Sequence, residues 1–294
     1  MYRLGAVLIA LVAVILLIQP ARGQTPPPPP GGSTPGTTPT PSPTALPDAQ
    51  SLLQSMNAAD VAKKTAHMTF SGTLSLTSDI PGVSITGTIT GKGDQNFVTN
   101  AYRETLTEKL KDTATKPPKT VTDRITEIFA HGHLAVRTNN KKFQCSPVST
   151  GGPSGPVGNP TSGSGVTIAN VGLTTVNGIS AWDVRVTVSV PGSNGVQTTA
   201  VTLDVYINAA DYTTVAETLN LPVTETFKVK KKKHRLTLTE NVTVAFNQYG
   251  EALSFKLPKA CKSRAKSFEL AHVTGSEILF RAAQGFGAAS TALR

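Results

Sequence analysis

From Trp182 to Val190 the chain alternates, with Trp182, Val184, Val186, Val188 and Val190 on one side and Asp183, Arg185, Thr187 and Ser189 on the other. Successive side chains of a strand point to opposite faces, so a period of two describes a sheet with one apolar and one wet face. Val201, Leu203, Val205 and Ile207 repeat the pattern. So do Met68, Phe70, Gly72, Leu74 and Leu76, set against His67, Thr69, Ser71, Thr73 and Ser75, and then Val83, Ile85, Gly87 and Ile89 beyond a turn at 79–83. Further strands are predicted at 96–107, 121–130, 134–136, 213–219, 224–230, 235–246 and 252–257. Their breaks fall at His131-Gly132-His133, 208–211, Leu221-Pro222 and Gln248-Tyr249-Gly250, with loops at 109–119 and 146–165. Residues 48–65 have helical spacing, through Leu52, Leu53, Met56, Ala59, Val61 and Ala62, and Asp48 is placed to cap that helix. No internal repeat suggests a propeller or solenoid. The chain therefore reads as a mainly β protein, an antiparallel meander with very little helix.

The alternation begins late. Residues 1–23 (MYRLGAVLIALVAVILLIQPARG) have an early Arg3, an apolar run over 4–18, a helix-breaking Pro20 and small residues at 21 and 23. That is the layout of a secretory signal. The run is shorter than the roughly 20 residues that span a bilayer, which favours cleavage; an uncleaved N-terminal membrane anchor is the alternative. Residues 24–47 are almost entirely Pro, Thr, Ser and Gly. Such a segment buries too little apolar surface to offset its ordering entropy and is expected to be an extended, disordered spacer. The foldable domain is expected over 48–258. A tail over 259–294 follows, with a candidate basic helix at 267–285. The protein is thus expected outside the cytoplasm, secreted or held at the membrane.

In that compartment Cys145 and Cys261 are expected to pair, closing a loop of more than a hundred residues that the chain-entropy model values at about 4 kcal/mol; two unrelated buried thiols are the alternative. A net charge of +10 points to an anionic partner such as a membrane surface, or simply to a solvated basic exterior. No recognition helix or zinc-finger pattern accompanies the charge, so nucleic acid is not expected. Lys228, Lys230, Lys231, Lys232, Lys233 and Arg235 form the densest basic run. Alternate residues face opposite ways, so this run must lie at an exposed hairpin end or edge. There it either guards the edge or touches anionic headgroups, at about 1 kcal/mol per Lys. No nucleophile elbow, HExxH, P-loop or dinucleotide fingerprint occurs, and no enzymatic activity or cofactor is expected. His131 and His133 lack a third ligand nearby, so no metal site is expected either.

The order of segments resembles one family. SLLQSMNAADVAKKTAHMTFSGTLSLT precedes the first hairpin; EIFAHGHLAVRTNNKKF, VNGISAWDVRVTVS, TLDVYINAADYTTVAETLNLP and ENVTVAFNQYGEALSFKLP follow in turn. This is similar to the LolA-like superfamily, periplasmic lipoprotein carriers and exported glycolipid-binding lipoproteins of actinobacteria, over roughly residues 50–258. The chain departs from the lipoprotein members in having no Cys near the cleavage site, and Phe143 stands where a Trp is usual. The resemblance implies a half-open antiparallel β barrel with one or more helices in its concave face, holding the acyl chains of a lipid or lipoprotein in an apolar cavity. Phe70, Leu74, Ile85, Ile89, Val184, Val186, Leu203, Val205, Val244 and Phe255 are the candidate lining residues, unless they simply fill a core. The alternative function is a surface structural or sensory module that binds a protein or a cell-wall polymer.

Overall fold

The computed structural model describes residues 46–79, 84–112, 117–147, 166–190, 199–229 and 232–261. The expected export segment, most of the expected spacer, the candidate helix at 267–285, Lys230 and Lys231 lie outside them, as do parts of the expected turn at 79–83 and of the expected loops at 109–119 and 146–165.

One helix, α1 (Ala49–Lys63), opens the domain. Asp48 caps it: its Oδ2 accepts from the Ser51 N–H at 2.8 Å and the Ser51 hydroxyl at 3.0 Å, satisfying one of the donors a helix start leaves free. Lys64 ends it at φ 71°, where its N–H donates to the Asp60 and Val61 carbonyls. Ala49, Leu52, Met56 and Asp60 form the buried stripe, three and four residues apart.

Among the described residues eleven strands follow: β1 (Thr65–Ser78), β2 (Ser84–Asn96), β3 (Ala101–Asp112), β4 (Lys119–Ala130), β5 (His133–Thr138), β6 (Gln144–Pro147), β7 (Val166–Val176), β8 (Ile179–Val190), β9 (Thr199–Asn208), β10 (Thr214–Val229) and β11 (Lys232–Asn247). They make one antiparallel sheet in the order β6-β5-β4-β3-β2-β1-β11-β10-β9-β8-β7. Every neighbour is a sequence neighbour except β1 and β11, which zip the first and last strands together from His67–Asn247 to Ser78–Leu236. Between β6 and β7 the chain passes from one edge of the sheet to the other, and these two strands do not pair. The sheet is an unclosed half barrel with α1 packed against it, as expected.

Several boundaries differ from expectation. The strand predicted at 96–107 starts at Ala101, because 97–100 form a turn closed by the Asn96 carboxamide, which accepts from the Val98 and Thr99 N–H groups. It then runs on through Lys109–Asp112, residues assigned to the loop, because β2 supplies partners as far as Asp112. Leu221-Pro222 does not break the chain: β10 is continuous from Thr214 to Val229. Its pairing with β9 runs as far as Asn220, so the N–H that Pro222 lacks interrupts no ladder on that side. Residues 252–257 form no strand; they cross the sheet irregularly to a short 3-10 turn at Lys259–Cys261. β6 and β7 were not anticipated, since four residues are too few for a period and a bulge between Asn170 and Gly172 breaks the alternation of β7.

Candidate functional site

Strand register decides which side chains share a face. Phe70 lies opposite Val244, Leu203 opposite Val186, and Val205 opposite Val184. Ile85 lies opposite Leu76, and Ile89 opposite Gly72. Nine of the ten predicted lining residues therefore share the concave face; the tenth, Phe255, lies in the irregular segment rather than in a strand. They divide into separate clusters. Val184, Val186, Leu203 and Val205 pack with Ile207, Leu219, Leu221 and Val223 against Ala49, Leu52 and Met56 of α1. Phe70 and Val244 join Met68, Leu106, Ile125 and Phe246. Leu74 and Ile89 pack on Val242 between the two. The helix covers the β8–β10 half, and aromatic side chains close the end of the other half: Phe97 stacks on Tyr249, and Tyr102 on Phe129.

Two polar features of this interior have no apolar signature in the sequence. Asp60, on the buried stripe of α1, accepts from the Thr214 N–H at 3.1 Å and the Thr214 hydroxyl at 2.6 Å, while the Tyr249 hydroxyl donates to the Thr214 carbonyl. Burial pushes the Asp60 carboxyl up to about 6, against the lowering effect of the Thr214 hydrogen bonds. The second feature is a set of glutamates on the concave positions of β3, β4 and β11: Glu104, Glu108, Glu127 and Glu240, each no more than 2% exposed. Burial raises Glu104 to about 8 and Glu240 to about 7. Glu108 is raised to about 8 by burial first and then by the Glu240 and Asp123 carboxyls. Glu127 is raised well above the usual range by burial and by Glu104. Burial, with Glu127 and Glu104 nearby, likewise pushes the Tyr102 phenol up. Sequence reading passed over these acids because a Glu in an alternating strand looks like part of a wet face. Parity with Leu106 is the signal that could have found them.

The convex face is polar. Arg185 Nε donates to Asp204 at 2.6 Å, Thr218 and Thr243 pair through their hydroxyls at 2.9 Å, and Asn241 donates to Asn220. A groove of about 630 Å³ opens beside β1–β3, lined mainly by polar side chains including His67, Lys92, Asp94, Arg103 and Asn247. His67 bridges Asp94, at 2.6 Å from Nδ1, and Glu251, at 3.1 Å from Nε2. The Glu251 hydrogen bond and then Asp94 hold its imidazolium above the ordinary range. Arg103 closes the cluster by pairing with Asp94.

Of the basic run, Lys232 and Lys233 are exposed at the far end of the β10–β11 hairpin, where Lys232 pairs with Val229 and Lys233 with Lys228. Arg235 is exposed too, and its N–H donates to Asp79. His131, at φ 52°, and Gly132, at φ 72°, make the expected turn. There His133 Nδ1 donates to the His131 carbonyl at 3.0 Å. Among the described residues, no three His, Cys, Asp or Glu side chains are grouped to hold a metal. Cys145 and Cys261 form a disulfide with Cα atoms 5.3 Å apart. The bond joins β6 to the C-terminal turn, which packs with Leu257 against Ile128 and Ala135 on the convex side.

No protein-family model matches this sequence, and no curated protein does. Its fold is similar to three solved structures. The Mycobacterium tuberculosis lipoprotein LppX is 12% identical, covering 72% of this chain and all of that one, with a TM-score of 0.39. A DUF1329 family protein from Desulfovibrio piger is 8% identical, covering 70% and 95%, with a TM-score of 0.27. A domain from Vibrio parahaemolyticus, described as outer membrane lipoprotein-sorting, is 12% identical, covering 70% and 94%, with a TM-score of 0.25.

Proposed function

We propose that this chain is an exported, non-catalytic lipid-binding domain that holds acyl chains against the concave face of its sheet. One observation carries the reading. Apart from Glu104, Glu108, Glu127 and Glu240, the described concave face between β1–β4 and β8–β11 is mostly apolar, yet the sheet is unclosed, and α1 packs on the β8–β10 half. An alkyl chain laid on that face gains about 0.8 kcal/mol per methylene removed from water, with no directed contact required. Side-chain rotation, or movement of α1 away from β8–β10, would make the room, since most of the candidate lining residues are buried in mutual contact. The exposed Val171 and Leu173 on the edge strand β7 give an acyl chain a place to enter. Residues 4–18 take the domain across the membrane, the 24–47 spacer holds it clear of that surface, and the basic hairpin end faces anionic headgroups.

Native mass spectrometry of the protein purified from its own host tests this reading. Co-purifying lipid that resists dilution but is released by organic solvent is the expected result. Repeated preparations without lipid would sink it. They would favour the second reading, a surface module with a filled core, for which the tight packing of Val184, Val186, Leu203 and Val205 under α1 is the supporting observation. The mass of the mature N-terminus separates a released carrier, cut after Gly23, from a tethered one.

A further inference from the structure

Along the concave side of β3 the chain places Tyr102, Glu104, Leu106, Glu108 and Leu110. Glu104 lies directly across from Glu127 of β4. Glu240 of β11 pairs with Leu74 of β1, which pairs in turn with Gly87 of β2. Neither carboxyl oxygen of Glu104 or Glu108 has a hydrogen-bond partner, nor does Oε1 of Glu240, and Glu127 has only the Tyr102 hydroxyl beside it. Each orphaned polar group in an apolar interior costs on the order of 1–3 kcal/mol even when neutral, so these four side chains work against the fold that contains them. An apolar or amide residue would serve packing better.

The surroundings make the set one-sided. The described concave positions of β1 from Ala66 to Leu76, β2 from Ile85 to Gln95, β3 from Tyr102 to Leu110, β4 from Val121 to Phe129 and β11 from Leu236 to Phe246 include no Lys, Arg or His. The titratable groups facing the glutamates there are Tyr102 and Asp123, with Glu217 and Asp60 beyond them toward α1. A chain with a net charge of +10 thus carries, at these described concave positions, carboxyls and one phenol and no basic group.

We propose that the concave face binds an amphiphile with a cationic ammonium head, the head seated between Glu104 and Glu127. The proposal rests on reading this face as the acyl-chain site. An ammonium has three donors and no acceptor, and ionised carboxylates accept only, so the two surfaces complete one another. A neutral polyhydroxylated head carries acceptors as well, which the glutamates can serve only while they hold their protons, so it loses partners as pH rises. An anionic head would be repelled. The ammonium must displace protons that burial holds on the glutamates, so binding strengthens with pH and releases protons to solvent.

The test is titration calorimetry of the full chain with three twelve-carbon probes below their micelle concentrations: dodecylamine, dodecyl maltoside and laurate. At pH about 8, dodecylamine is expected to bind at least about tenfold more tightly than either other probe, a difference of about 1.4 kcal/mol. That preference should shrink below about threefold at pH about 6, where the glutamates hold their protons. Repeating the titration in two buffers of different ionisation heat should reveal proton release, a readout that needs no variant. E104Q/E127Q, nearly isosteric and uncharged, should lose the preference while still binding the maltoside; E108Q/E240Q should weaken it less. Equal binding of the three probes, or a preference that survives E104Q/E127Q, overturns the proposal and leaves the acyl-chain reading standing. If none of the three binds, both fall.

Discussion

Asp60 on α1 and Thr214 at the start of β10 are 154 residues apart in sequence and joined by two hydrogen bonds, from the Thr214 N–H and from its hydroxyl. This contact fixes the C-terminal end of the helix over the half of the sheet it covers. Asp60→Ala would leave both Thr214 donors buried without partners, a loss expected to be on the order of 1–3 kcal/mol. Asp60→Asn keeps an acceptor and should lose less. Urea unfolding midpoints of the two variants check the order; equal losses would remove the hydrogen bonds from the explanation.

Stability should fall as pH rises. Unfolded glutamates titrate near 4.3, whereas Glu104 and Glu108 sit at about 8 and Glu240 at about 7 in the folded chain, raised by burial. The folded state therefore holds protons that the unfolded state releases. This contribution is complete below the unfolded value and is lost as pH climbs through 7 to 8. His67, raised by Glu251 and Asp94, acts in the same sense. Thermal melts should show a Tm several degrees higher near pH 5 than near pH 9, at about 2–4 °C per kcal/mol for a domain of this size. Replacing the glutamates with Gln should flatten the slope. A Tm that rises over the same interval would contradict the burial of these carboxyls.

Reducing the Cys145–Cys261 bond removes a cross-link spanning 116 residues, and the expected cost is about 2–5 kcal/mol. The effect should be local as well as global. Leu257 and Cys261 hold the C-terminal segment on Ile128 and Ala135, so reductant should expose 251–261 to protease before β1 and β11 are cut. A digestion pattern unchanged by reduction would speak against this docking.

Gly91 has no room for a side chain. A Cβ there would meet the Thr105 carbonyl oxygen at 2.6 Å and Leu106 Cδ2 at 2.7 Å. The leucine can rotate, but the backbone oxygen can move only if β2 and β3 separate. Gly91→Val should cost about 1–3 kcal/mol through overpacking, read as a lowered denaturation midpoint. A neutral result would mean that the sheet is slack where the model of a tight half barrel requires it to be closely coiled.

Sequence alone determined the period of the chain, and with it a mainly β domain, the capped helix at Asp48 and the turns at His131-Gly132 and Tyr249-Gly250, and it made a Cys145–Cys261 bond the expected pairing that the structure shows. These follow from near-neighbour physics: alternation, capping, positive φ and the redox habits of exported proteins. Tertiary structure alone decided that β1 zips to β11, that Pro222 passes through a strand instead of ending it, and that 252–257 form no strand. Each of these depends on partners far away in the chain, and a local period cannot identify them. The glutamates make the distinction clearest. Their parity placed them on the same side of β3 as Leu106, but only the wrapped sheet made that side an interior. The interior turned four ordinary polar residues into buried carboxyls with most of their oxygens unpartnered.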